Sequence, residues 1–220
     1  MFKKRYTEND VLRSAELKSF NSVTKLAEQM TDINDLNYLI DMLKYDLCVS
    51  EAVKAMYNNG FSKPIESFIP TECYDTERNR INIVADDEID FKLVPEKTYV
   101  APWDLRRSLK MYKKLSETEF EYKADNHSSY YYDDIDICYV FCGNHSQHIG
   151  SLLRTGTVKS KLCQTRLLYD HIHTDGEKWY NSHTGEQIYS VYDFRAAAVY
   201  HLAQMRYNIF FSEMKEKLDK

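Results

Sequence analysis

IDICYVFCGNHSQHIGSLLRTGT, residues 135–157, changes its hydrophobic period at a single glycine. Before it, Ile135, Ile137, Tyr139 and Phe141 alternate with Asp136, Cys138, Val140 and Cys142, the period of a strand with one apolar side and one only partly so. After it, Ile149, Leu152 and Leu153 recur at helical spacing. Gly143 can take the positive φ that a sharp turn requires, so the unit reads as strand, tight turn, helix. A helix entered this way directs free N–H groups and the positive end of its dipole over the turn, where phosphate is a usual guest.

Working outward toward the N-terminus, Ala101-Pro102-Trp103-Asp104 predicts a helix start. Leu105, Leu109, Tyr112 and Leu115 form its expected apolar face, while Arg106, Arg107 and Lys110 share the other side, where they could bind phosphate. His127, in the polar loop before the strand start Tyr130-Tyr131-Tyr132, is a candidate site residue. Arg80-Ile81-Asn82-Ile83-Val84 reads as a short strand, and Phe91, Leu93, Tyr99 and Val100 as extended segments around Pro95. The acidic run Asp86-Asp87-Glu88 reads as a solvated turn rather than a Mg²⁺ site, because three consecutive carboxylates share no face. Residues 8–58 read as three helices. The first carries Val11, Leu12, Ala15, Leu17 and Phe20, then Val23, Leu26, Ala27 and Met30; the second, capped by Asp32 or Asn34, carries Leu36, Leu39, Ile40, Leu43 and Leu47; the third runs from Ser50 to a stop at Asn58-Asn59-Gly60.

Toward the C-terminus, Arg154 and Gly156 close the central helix and residues 158–168 read as a further strand. Residues 189–210 keep a long helical period that Asp193 could begin. The expectation is an α+β chain: a helical N-terminal layer over residues 1–60, then residues 61–220 as a mixed sheet with helices and a long C-terminal helix.

The chain has 220 residues, 43% of them hydrophobic, which is enough for a sizeable core. A net charge of -5 gives no global attraction to nucleic acid or anionic membrane. No apolar run is long enough to span a bilayer, and the basic residues of MFKKRYTENDVLRS lead into no apolar segment, so no secretory signal is read there. Five cysteines without CxxC spacing fit a reducing, cytoplasmic setting. Eighteen tyrosines, concentrated in the second half, could line a pocket or simply fill half-buried positions.

Six of the seven histidines lie between His127 and His183. In an extended segment His171, His173 and Asp175 project to one side, a spacing that suits a metal ion. The run also resembles the start of the HxHxDH signature of metallo-β-lactamase-type hydrolases, with Gly176 at the final position, so a metal-dependent hydrolase is one minor expectation. Cys142, three residues before His145, could make a Cys–His nucleophile, although neighbours on a sharp turn seldom face one another.

The segment VFCGNHSQHIG, followed by a helix, Gly156 and another strand, resembles the signature region of the ParB/sulfiredoxin superfamily. Together with Asp175-Gly176, it is also similar to uncharacterised bacterial and phage proteins bearing a GNHS-type motif. The resemblance covers roughly residues 90–170 and implies a nucleotide or phosphate pocket over the turn. It implies that Gly143 gives close backbone approach, that Asn144 and His145 reach phosphate or substrate, and that Ser146 opens a helix whose N-terminus holds an oxyanion. Ser146 stands where the common arginine of that superfamily would be, so charge facing a triphosphate falls to Arg106, Arg107, Arg154 or Lys159.

The leading expectation is thus a protein that binds a nucleotide or phosphorylated small molecule, with phosphoryl-transfer, NTP-hydrolysing or nuclease activity. His145 and Asn144 would act at the turn, Asp170, His171 or Asp175 would supply a second titrating group or hold Mg²⁺, and His148 and His127 would line the pocket. The alternative is a non-enzymatic regulator of phage or mobile-element type, which keeps the pocket scaffold and grips a protein or nucleic acid through its N-terminal helices or tyrosine-rich surface.

Overall fold

The computed structural model describes residues 8–57 and 68–218. Two helices come first, α1 (Glu8–Ala27) and α2 (Ile33–Tyr57). α2 starts where the Asp32 carboxylate accepts the Asn34 N–H at 2.7 Å. It buries Leu36, Ile40 and Leu47, with Leu39 and Leu43 beside them, as the stripe predicts. Ser50 starts no new helix; its hydroxyl donates back to Asp46 at 2.7 Å, and the expected second and third helices are one. The stop at Asn58-Asn59-Gly60 lies outside the described residues. In α1 the deeply buried positions are Phe20 and Ala27, while Leu12 faces solvent.

A hairpin of β1 (Glu72–Tyr74) and β2 (Arg80–Asn82) leads into β3 (Val84–Lys92), β4 (Thr98–Tyr99) and α3 (Leu105–Leu115). Then follow β5 (Ser128–Tyr132), β6 (Ile137–Cys142), α4 (Asn144–Leu152) and β7 (Thr157–Cys163). The chain finishes with β8 (Ile172–Thr174), β9 (Lys178–Asn181), β10 (Gln187–Ser190) and α5 (Phe194–Leu218). The main sheet has the order β3-β7-β5-β6-β4 and is mixed: β3/β7 and β5/β6 run antiparallel, β7/β5 and β6/β4 parallel. A second, antiparallel sheet has the order β10-β9-β8.

β3 and β4 lie at opposite edges of the main sheet, yet only residues 93–97 separate them. That stretch would reach about 20 Å fully extended, barely four strand spacings of about 4.8 Å, and the 3-10 turn at Pro95–Lys97 shortens it well below that. The sheet must therefore curl, bringing its edges toward one another.

β6 shows why the core divides in two. Ile137 and Tyr139 face the larger cluster, built with α1, α2 and α5, while Cys138 and Val140 face a smaller one with Phe91, Leu93, Val100 and Val158. Both sides of the strand are thus buried, and its expected half-polar side is not found. Tyrosines fill the larger core instead of walling a pocket: Tyr99, Tyr132 and Tyr200 are fully buried, and the Tyr200 hydroxyl donates to the Leu168 and Ile172 carbonyls, each at 3.1 Å. The acidic run is also not a turn. Asp86, Asp87 and Glu88 belong to edge strand β3, where Glu88 and Asp90 stand opposite Lys161 and Lys159 of β7.

Candidate functional site

The predicted strand, turn and helix are β6, Gly143 and α4. Gly143 has φ 78, and a Cβ there would lie 2.5 Å from His127 Cδ2 and 2.6 Å from the Asn126 carbonyl oxygen. Only glycine fits both the dihedral and the space. No side chain caps α4, so the amides of Asn144, His145 and Ser146 have no acceptor within the helix. α3 differs, since Asp104 closes its start by accepting the Arg106 and Arg107 amides at 2.8 and 3.3 Å.

His127 supports the turn from below. Its Nδ1 accepts the Lys123 N–H at 3.0 Å, so the neutral ring carries its proton on Nε2 and donates to Ser146 Oγ at 2.9 Å. Ser146 in turn donates to the Gly143 carbonyl at 3.0 Å. Burial, with a smaller contribution from Lys123, holds the His127 pKa below the usual imidazole range. Phe120 stacks on the same ring at 5.1 Å. With both nitrogens engaged, His127 is a strut of the turn and has no free nitrogen to offer a ligand.

His145 is half-buried and better placed. Its Nε2 accepts the Asp104 N–H at 3.2 Å, which leaves Nδ1 as the proton-bearing nitrogen of the neutral ring. Burial and then the Arg107 charge lower its pKa. Trp103 meets the imidazole edge-on at 4.8 Å, and the Arg107 guanidinium lies over the indole at 4.5 Å. A cation, an aromatic ring and an imidazole therefore share the open end of α4. Deeper along the helix, burial pushes the His148 pKa down to about 4, and its buried Nδ1 has no partner. Gln147 donates to the Cys142 carbonyl at 2.7 Å, while its buried Oε1 is also unpartnered.

The other expected cations lie elsewhere. Arg154 sits at the far end of α4 and pairs with Glu96 at 2.8 Å; Arg106 points outward, 3.8 Å from Asp104; Lys159 belongs to the β3/β7 ladder. Asp170, His171, His173 and Asp175 precede or belong to the β8/β9 hairpin, and none of their hydrogen bonds or ring contacts reaches α4. His173 and Asp175 share the outward side, yet the expected metal set does not converge. Asp175 accepts the Glu177 and Lys178 amides and the Tyr180 hydroxyl, His173 meets Ser182, and His171 meets His183. Among the described residues no group of three or more His, Cys, Asp or Glu side chains is gathered to hold a metal. Cys142 is exposed, and burial pushes Cys138 up to about 11 against the hydrogen bond from Ser160, so its thiol is inert.

Trp103 and Gln147 are the residues of this site that sequence reading passed over. Trp103 stands four residues before Arg107, and Gln147 four after Gly143, the one signal that could have found them.

Two of the further concave regions among the described residues carry polar side chains. One, about 360 Å³, lies between the β1/β2 hairpin and β10 and is lined by Glu72, Tyr74, Arg78, Asn181, Thr184 and Glu186 among others. The other, open to solvent, surrounds Asp134, whose carboxylate is fully engaged by Arg166 (2.6 Å), Tyr169 (2.7 Å) and Arg206 (2.8 Å). Among the described residues no helix is long and apolar enough to cross a membrane.

No curated protein and no solved structure matches the chain. A family model does match, over residues 3–212, and by it the chain belongs to DUF6710, a family of unknown function.

Proposed function

We propose that the chain binds a nucleotide or another phosphorylated compound at the N-terminus of α4, in the manner of the ParB/sulfiredoxin-like proteins its GNHS turn resembles. The observation that carries this reading is an uncapped helix start with a cation and an imidazole beside it. Three amides lack a helical acceptor, Arg107 is held over Trp103, and His145 is fixed by the Asp104 amide. His145 acts here as a hydrogen-bond donor to the bound phosphate through its neutral Nδ1–H, since its Nε2 lone pair is occupied. Phosphoryl transfer, NTP hydrolysis or nuclease chemistry would draw on that hydrogen bond and on Arg107 to stabilise charge developing on the phosphoryl oxygens. Any Mg²⁺ would be carried chiefly by the phosphates of the ligand.

The test is a thermal-shift panel of nucleoside triphosphates and inorganic phosphate, with and without Mg²⁺. A true ligand at about a hundred times its Kd stabilises the fold by roughly 2.7 kcal/mol. Arg107→Ala and His145→Ala should each remove most of that shift while the unliganded melting point stays close to wild type. Absence of any shift for the wild-type chain would sink the reading.

A second reading has its own support. Tyr38, Met42 and Tyr45 form an exposed stripe at helical spacing on α2, and Met56 and Tyr57 extend the apolar exposure to its end. This face suits the non-enzymatic, macromolecule-binding regulator. Tyr38→Lys combined with Tyr45→Lys should then abolish partner capture without lowering stability.

A further inference from the structure

His171 and His183 are twelve residues apart in sequence and meet ring to ring, with Nδ1 of the first 2.8 Å from Nε2 of the second. The ring centroids are 5.0 Å apart and the planes inclined by 61°. One of the two facing nitrogens must carry the proton of this hydrogen bond, and the other must be a bare lone pair. His183 is exposed and His171 half-exposed, so both rings can turn.

We propose that His171 and His183 form a two-imidazole site for a late first-row divalent ion of the Zn²⁺, Ni²⁺ or Cu²⁺ class. Metal–nitrogen distances of about 2.0–2.1 Å at a tetrahedral angle place two ligating nitrogens roughly 3.3 Å apart. The pair therefore has to open by about half an ångström, within reach of a small rotation of each ring. Two metal–nitrogen bonds form, two water ligands leave the ion, and the N–H···N bond breaks. The shared proton moves to the other nitrogen of its ring, so no net proton is released from a neutral pair. Imidazole ligands favour these ions over Mg²⁺ or Ca²⁺, and, with no third donor gathered among the described residues, solvent completes the coordination sphere.

The surroundings add negative charge. Asp75 is held below the usual carboxylate range mainly by hydrogen bonds from Asn79, with a smaller contribution from His171, which places its carboxylate within electrostatic reach of the pair. Bound metal would clip residue 171 to the turn at residues 181–184, whose Asn181 and Thr184 line the cleft beside the β1/β2 hairpin. This site is separate from the α4 turn and independent of any nucleotide.

Isothermal titration of the full chain with Zn²⁺, in a non-coordinating buffer near neutral pH, tests the assignment. The wild type should take up one equivalent. His171→Ala and His183→Ala should each weaken binding by about tenfold or more, and His183→Gln, which keeps a hydrogen-bonding side chain, should do the same with unchanged circular dichroism. His173→Ala, which alters the neighbouring imidazole bonded to Ser182, should leave affinity within about threefold. The assignment is overturned if the wild type takes up no Zn²⁺ or if His183→Gln binds as tightly as wild type. An equal loss in His173→Ala would also overturn it.

Discussion

At position 143 a single methyl group would collide with both the imidazole of His127 and the Asn126 carbonyl. Gly143→Ala should lower stability by about 3 kcal/mol, from the left-handed backbone and the clash together, read in urea denaturation. Gly185 has a similar φ of 70 with nothing near its missing Cβ, so Gly185→Ala should cost only about 1 kcal/mol. Ser146→Ala should also cost about 1–3 kcal/mol, because the buried Nε2–H of His127 loses its acceptor. Gly143 is legible in the sequence as the turn, whereas His127 and Ser146 are legible there as chemistry but not as structure. His127 and Ser146 were singled out as ligand groups, and the fold engages both in holding the bend.

At the scale of elements, α5 is fastened at its first turn. Asp193 accepts the Arg195 amide and guanidinium at 2.9 Å, and Arg195 reaches Asp46 of α2 at 2.9 Å. Lys54 lies 3.6 Å from Asp193 and also pairs with Glu51. Burial pushes the Asp193 carboxyl upward, yet the hydrogen bonds and charge of Arg195 outweigh it and hold its pKa low. Asp193→Ala leaves the largely buried guanidinium with Asp46 as its one remaining carboxylate and should destabilise by about 3 kcal/mol in the same denaturation measurement. α3 illustrates the opposite case. It packs chiefly against α4, so Leu109 and Tyr112, expected on an inward face, are exposed, while Ser108 and Leu115 are buried.

Over the whole molecule, burial lowers the pKa of His127, His145, His148 and His201. A depressed imidazole makes no contribution above its ordinary pKa, where folded and unfolded chains are both neutral. Below that value the unfolded chain binds a proton that the fold refuses, so stability falls as pH drops. For His148 the loss runs from near pH 6.5 down to about 4 and amounts to about 3 kcal/mol. His148→Gln should flatten that part of a stability profile measured by urea denaturation between these limits. The depressed carboxyls of Asp134 and Asp193 act in the same direction at lower pH, whereas the raised carboxyls of Glu51 and Glu16 act oppositely, since protonation relieves their burial.

The α+β class, the helical N-terminal layer, the strand-to-helix switch at Gly143 and the start of α5 at Asp193 followed from the sequence alone. Each rests on local period and capping, which neighbouring residues suffice to set. Tertiary structure decided which groups meet. Trp103 and Arg107 join His145 only because α3 packs on α4, Arg154 is drawn away to Glu96, and His171 finds His183 instead of Asp175. Side-chain direction along one strand or helix is a local property, but convergence at a site depends on how separate elements pack, and no spacing within one segment encodes that.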